Sequence, residues 1–212
     1  MLCTGKKDIQ ISGINHFTMY ETLIHNIEEI VPLKEEDILL IQDAFKPIHL
    51  KKKQYLLQKG QSSNHMRFIA EGCLKLYRIE DSGKEHILQF GIKGWWLNDL
   101  YAYLTQKPAT FFIQAISDCT VLQVHRNQLN KLYDNIHMMD RFFRIKTQNG
   151  YVALQERTIN SMSQTADERY YEFISRYRNM EQQIPQYMIA SYLGITPEHL
   201  SALRKSVARR LS

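Results

Sequence analysis

The sequence predicts an α+β protein: an antiparallel β-roll with flanking helices, then a long helix, then an all-α helix-turn-helix end with a reduced or absent wing. Three observations carry this reading. Between Pro47 and His125, short β-prone runs alternate with turn signals, while the segments on either side have helical spacing. From Ile136 to Ser161 there is no proline and one glycine, Gly150, so a single long helix is expected. Beyond it, two short helical patterns flank Gly194.

The 212-residue chain suffices for one or two domains with a real core. Hydrophobic residues at 44% and charged residues at 23% are ordinary globular values. A net charge of +5 and a pI near 9.0 permit a polyanionic partner without requiring one. No apolar run approaches the roughly 18 residues of a membrane span, and "MLCTGKKDIQISGINHF" has no apolar signal region. A cytoplasmic chain without a membrane partner is expected. Cys3, Cys73 and Cys119 stand far apart, which predicts reduced thiols. They are too few for an iron–sulfur cluster, which normally takes four thiolates. The eight histidines form no H-x-H or H-x-x-x-H pair, and no catalytic set converges. No metal, no cofactor and no enzymatic activity are expected.

Residues 1–18 read as a loose arm. "YETLIHNIEEI" reads as a helix ending at Pro32, and "KEEDILLIQDAF" as a second stopped by Pro47. The strand runs "QYLLQ", "MRFIAEG", "CLKLYRIE", "EHILQFG", "TFFIQAI" and "CTVLQVH" follow, with a hairpin turn at Asp81–Gly83. "RNQLNKLYDN" reads as a short helix. In the long helix Phe142, Ile145, Asn149, Val152 and Ile159 keep 3-4 spacing, the seam of a helix packed on another helix. A second copy of the chain is the expected cover. The alternative is a helix packed only on its own roll. Thr165 followed by Glu168 predicts a capping box and a new helix start.

"IPQYMIASYLGITPEHLSALRKSVARRLS" supplies the most specific signal. Ile189, Leu193, Leu200 and Leu203 would face each other across two helices, with small Ala190 at the crossing. Gly194 suits a turn that needs positive φ. Thr196 suits an N-cap and Pro197 the first helical position. The combination predicts a helix-turn-helix whose second helix enters a major groove. Its outward residues would be Pro197, Glu198, His199, Ser201, Ala202 and Lys205, with Arg204, Lys205, Arg209 and Arg210 as the basic end. Two ordinary packed helices with a solvated basic end are the alternative. The candidate DNA-contacting set is Gln186, Tyr187, Thr196, Glu198, His199, Ser201, Arg204 and Lys205.

The order of elements, with "GKEHILQFGIKGWWLNDLYAYL", "TADERYYEFISRY" and "IASYLGITPEHLSALRK", resembles the CRP/FNR family of bacterial transcription regulators. The resemblance covers about residues 20–206 and is strongest toward the branch found in Bacteroidetes. It implies a cyclic-nucleotide-binding-like sensor domain at 19–135, a dimerisation helix at 136–161 and a DNA-binding domain at 162–212. It also implies a homodimer on an inverted repeat of double-stranded DNA, RNA polymerase as a further partner, and an unidentified small-molecule effector.

Members that bind cyclic AMP carry Gly-Glu-Leu and then Arg-Ser/Thr. The matching positions here are Asn98-Asp99-Leu100 and Ala109-Thr110. With Ala109 in place of the arginine, the charge-assisted contact to a phosphate is lost, and cyclic AMP is not the expected ligand. The adenine-contacting hydroxyl pair of the family falls near Leu154 and Gln155. The candidate effector pocket is Trp96, Asn98, Asp99, Leu100, Ala109 and Thr110. Trp95, Trp96, Tyr101, Tyr103, Phe111 and Phe112 crowd this stretch of sequence, either as core or as the wall of an apolar site. The reading from another class is a ligand-binding module that acts through protein contacts without DNA.

Overall fold

The computed structural model describes residues 16–177 and 184–211, with side chains from 19–177 and 184–206. Helix α1 (His16–Glu28) leads into α2 (Glu35–Ala44). The first turn of α2 holds Glu35, Glu36 and Asp37, the charge sign that a helix N-terminus favours. The Lys34 N–H donates to the Asp37 carboxylate at 3.0 Å.

Strands β1 (Lys46–Leu50), β2 (Tyr55–Leu57), β3 (His65–Glu71), β4 (Cys73–Ile79), β5 (Glu85–Ile92), β6 (Phe112–Ala115) and β7 (Cys119–His125) build two antiparallel sheets. Their orders are β1-β7-β3 and β2-β6-β4-β5, so β5 lies at an edge. Alternation along each strand sends one set of side chains between the sheets and the other outward. Ile69 and Val121 of the first sheet meet Leu74, Leu76 and Ile113 of the second in the roll interior. Phe68, Leu122 and Val124 face outward against Leu23 and Ile27 of α1. The β4–β5 hairpin closes at Gly83, whose φ of +83° suits glycine. Gly72 is required for space as well: a Cβ there would lie 2.3 Å from the Asp118 carbonyl oxygen.

Helices α3 (Leu100–Thr105), α4 (Arg126–Asn135), α5 (Met139–Ser163), α6 (Ala166–Arg176), α7 (Gln186–Leu193) and α8 (Pro197–Leu211) complete the order. Among the described residues no strand follows His125. The long helix begins at Met139 because the chain first caps α4, with the Ile136 N–H donating to the Leu132 carbonyl at 2.8 Å.

The first turn of α5 corrects one expectation. Phe142 is 0% exposed and belongs to the core beneath α1, with its ring 5.1 Å from Phe143 and 5.8 Å from Trp96. It packs on its own roll and offers nothing to a second chain. Ile145 is half-buried and Asn149 exposed. Farther along, Val152 is 50% and Ile159 60% exposed, beside exposed Tyr151, Leu154 and Met162. The helix therefore divides into a packed root and a bare apolar shaft.

A third cluster joins the outer face of the second sheet to the C-terminal helices. Phe90 of β5 lies 6.1 Å from Phe173, 5.8 Å from Tyr177 and 5.3 Å from Tyr192, measured between ring centroids. No helix among the described residues is long and apolar enough to cross a membrane. Cys73 and Cys119 are buried free thiols, and burial pushes Cys73 up to about 12. Cys3 and the arm at 1–18 lie largely outside the described residues.

Candidate nucleic-acid interface

Helices α7 and α8 meet through the side chains that their spacing selects. Ile189, Ala190, Leu193, Leu200 and Leu203 are all buried in one cluster. Gly194 adopts φ +70°, and the Ile195 N–H donates back to the Ala190 carbonyl at 3.0 Å, closing the first helix with a left-handed turn. Thr196 caps the second: its hydroxyl accepts from the His199 N–H at 3.2 Å. The capping box upstream also forms, with the Thr165 N–H donating to the Glu168 carboxylate at 2.8 Å. These bonds hold the Glu168 carboxyl below its usual range.

Pro197, Glu198, His199, Ser201, Ala202 and Lys205 are exposed, as are Gln186, Tyr187 and Thr196; Arg204 is half-buried. The outward row of α8 therefore carries Glu198 near its start and Lys205 farther along, with Arg204 half-buried beside it. The side chains of Arg209 and Arg210 lie outside the described residues. Tyr187 lies close enough to Tyr77 of β4 to act on it electrostatically.

Residues that sequence spacing does not reveal fasten this unit to the roll. The Ile87 N–H of β5 donates to the Ser191 hydroxyl at 3.2 Å, and that hydroxyl donates to the Glu85 carbonyl at 2.7 Å. Ser191 thus occupies the open rung of an edge strand. Arg157 of α5 donates to the carbonyls of both Ile87 and Tyr192 at 3.4 Å and lies 4.3 Å over the Tyr192 ring. Only the tertiary fold makes these partners adjacent.

The turn at 98–110 departs from the expected pocket. Asp99 is 2% exposed, and its carboxylate accepts from the backbone N–H groups of Ala102 at 3.0 Å, Thr110 at 3.1 Å and Phe111 at 3.4 Å. It is spent on its own backbone and is not held out to a ligand. Asn98 likewise accepts from the Arg67 N–H at 2.9 Å. Ala109 is buried among Leu57, Leu97 and Ile113, so this position is roll interior. Leu100 packs toward α1, while Thr110 is exposed. Trp96 points away from this turn: its indole N–H donates to Asn26 at 3.0 Å, and its ring abuts Phe45, Phe68 and Phe143. The aromatic residues do not converge on one cavity either. Trp95 and Phe112 pack with the C-terminal cluster, Tyr103 joins the core under α1, and Tyr101 is exposed.

Below the turn, Arg67 is 3% exposed, and burial lowers its guanidinium to about 10 despite the favourable charge of Asp99. His65 and His125 face each other across β3 and β7 at 5.1 Å. Burial, then Arg67, then His125 lower His65 to about 4. Among the described residues no group of three or more His, Cys, Asp or Glu could hold a metal ion.

The roll thus leads through the long helix α5 to the paired helices α7 and α8. Residues 47–135 match the cyclic nucleotide-binding domain family. The chain is 26% identical over 200 residues to the anaerobic regulatory protein of Haemophilus influenzae, covering 88% of this chain and 71% of that one. Its fold is shared with FixK2 from Bradyrhizobium japonicum, at TM-score 0.66 and 19% identity over 78% of this chain and 85% of that one. It is also shared with CooA from Carboxydothermus hydrogenoformans, at TM-score 0.66 and 19% identity over 87% and 85%. Residues 47–135 thus carry a cyclic nucleotide-binding domain, and the chain shares the fold of FixK2 and CooA.

Proposed function

We propose that the chain is a homodimeric, sequence-specific DNA-binding transcription regulator whose signal is not cyclic AMP. The carrying observation is the α7–Gly194–α8 unit, built on a buried apolar seam with Glu198, His199, Ser201 and Lys205 exposed along one row. The curated relative is named a regulatory protein, which supports the same class. The second copy covers the bare shaft of α5, where Tyr151, Val152, Leu154, Ile159 and Met162 are exposed; burying such residues across a two-fold is worth about 1.5–3 kcal/mol per side chain. RNA polymerase is the further macromolecular partner of this reading. Against cyclic AMP stand the apolar setting of Ala109 and the internal bonds of Asp99.

Selection of duplexes from a random pool tests the reading, followed by binding curves across salt concentration. An inverted repeat is expected, with half-sites about 34 Å apart. Glu198→Ala relaxes base preference by about 1–3 kcal/mol per half-site. Lys205→Ala weakens all sequences alike and flattens the salt slope. Absence of duplex binding at low salt overturns the reading in favour of a module that acts through protein contacts.

A further inference from the structure

The corner where β3 begins and β7 ends gathers buried donors that have no acceptor. Among the described residues, the buried side-chain polar atoms without a partner are Ser63 Oγ, Arg67 Nε, Arg126 Nε, Arg126 Nη2 and Gln164 Oε1. All but the last belong to this corner, where His65 pairs with His125 and the Arg126 N–H donates to the Asn64 carbonyl at 2.9 Å. Ser63 is 2% and Arg67 3% exposed. The Arg67 guanidinium turns back toward the start of its strand, its Nη1 donating to the His65 carbonyl at 3.3 Å. Helix α3 closes the corner: Asp99 acts on Arg67, and the Arg126 guanidinium lies 4.0 Å over the Tyr103 ring.

The acceptors here are already taken. Asp99 receives three backbone N–H groups, and among the described residues it forms no ion pair. Asn98 Oδ1 takes the Arg67 N–H at 2.9 Å, and His125 Nδ1 takes that of Asn127 at 3.2 Å. What remains are donors, and a buried donor without a partner calls for a water or an ion. Two guanidinium groups against one carboxylate leave one positive charge over, since His65, held near 4, is neutral at pH 7. A water satisfies a donor but does not neutralise that charge, and an unpaired buried charge is costly.

We propose that this corner binds a small monovalent anion, the size of chloride or formate, held by Arg67 Nε and Ser63 Oγ and balanced by Arg126. Hydrogen bonds from a guanidinium to an anion are of the strong, charge-assisted kind. A phosphorylated compound does not fit, because it brings about two negative charges where one is surplus. Ala109 and Thr110 take no part, so the site is not the pocket expected at the Asn98–Thr110 turn. The inference also stands apart from the DNA-binding reading, since no residue of α7 or α8 contributes. The bound anion ties the start of β3 to the start of α4.

Thermal unfolding of the full chain, titrated with sodium chloride or sodium formate against sodium gluconate at constant ionic strength, tests this. A saturable rise in melting temperature is expected, with a midpoint below about 20 mM. A response to chloride alone assigns a halide, and one to formate alone a carboxylate; either supports the site. Arg67→Met removes the buried charge at similar length, so it is expected to melt no lower than the anion-free chain and to lose the response. Ser63→Ala, which deletes one small hydroxyl, raises the midpoint at least threefold and serves where Arg67→Met does not fold. In crystals soaked in bromide, an anomalous peak touching the Arg67 guanidinium is expected. The proposal falls if neither salt gives a saturable response, which leaves an ordered water only. It falls equally if inorganic phosphate matches the response, if Arg67→Met keeps it, if Ser63→Ala leaves the midpoint unchanged, or if bromide binds elsewhere alone.

Discussion

The hydroxyl of Ser191 donates to the carbonyl of Glu85 at 2.7 Å, joining residues 106 apart in the chain. The same oxygen receives the Ile87 N–H at 3.2 Å. One side chain of the helix-turn-helix therefore completes the edge of the roll's second sheet. Ser191→Ala leaves both groups without their partner, and an unsatisfied, partly buried backbone group costs about 1–3 kcal/mol. Chemical denaturation reads the loss, and amide exchange at Ile87 accelerates. An unchanged exchange rate at Ile87 refutes the role.

Phe142 and Val152 separate folding from association. Phe142→Ala opens a cavity in the core under α1 and costs about 3–5 kcal/mol. Val152→Asp with Ile159→Asp leaves that core intact and places charge on the exposed shaft of α5. Sedimentation equilibrium is expected to show the unaltered chain as a dimer and the aspartate variant as a folded monomer. Dimerisation that survives both aspartates removes the shaft as the interface.

Asp99 is expected to act in stability and not in ligand capture. Asp99→Ala removes the acceptor of three backbone N–H groups. Bonds to a charged acceptor are worth about 1.5–3 kcal/mol each, though not additively. Asp99→Asn retains one acceptor oxygen and loses less. Neither the variants nor the unaltered chain shows a rise in melting temperature with cyclic AMP; such a rise in the unaltered chain contradicts this account of the turn.

His65 sets a pH dependence. Burial, Arg67 and His125 hold it near 4 in the folded chain, below its ordinary 6.5. Between these values the unfolded chain binds the proton that the folded chain refuses, so stability rises with pH across that window. Acidifying from about pH 7 toward 4 destabilises the protein, and His65→Gln flattens that slope. A resonance titration of the His65 ring with a midpoint near 6.5 disproves the assignment.

The sequence is most legible where structure is local. Thr165 with Glu168, Gly194, Thr196 and the hairpin glycine at 83 act within a few residues of themselves, and each forms the cap or turn its type favours. The strand runs are recognisable for the same reason. Phe142 shares the 3-4 spacing of a dimer seam, but such spacing identifies a face without saying what covers it; here α1 and Trp96 do. Trp96 and Trp95 are neighbours in sequence, but they pack into different clusters, Trp96 with the core under α1 and Trp95 with the C-terminal helices. The chemistry of Asp99 was legible only as charge, because its partners at Thr110 and Phe111 come from the far side of a loop. Ser191 gave no local signal at all.

The third cluster has a consequence for how the molecule melts. Tyr77, Phe90 and Ile116 of the roll share one apolar core with Phe173, Tyr177, Ile189 and Leu193 of the C-terminal helices. Neither part can unfold without wetting aromatic surface on the other. A scanning calorimeter should record one cooperative endotherm, with the van't Hoff and calorimetric enthalpies in agreement. A roll truncated after Ser163 would carry the bared ring of Phe90 and an uncapped β5, and should aggregate through that strand.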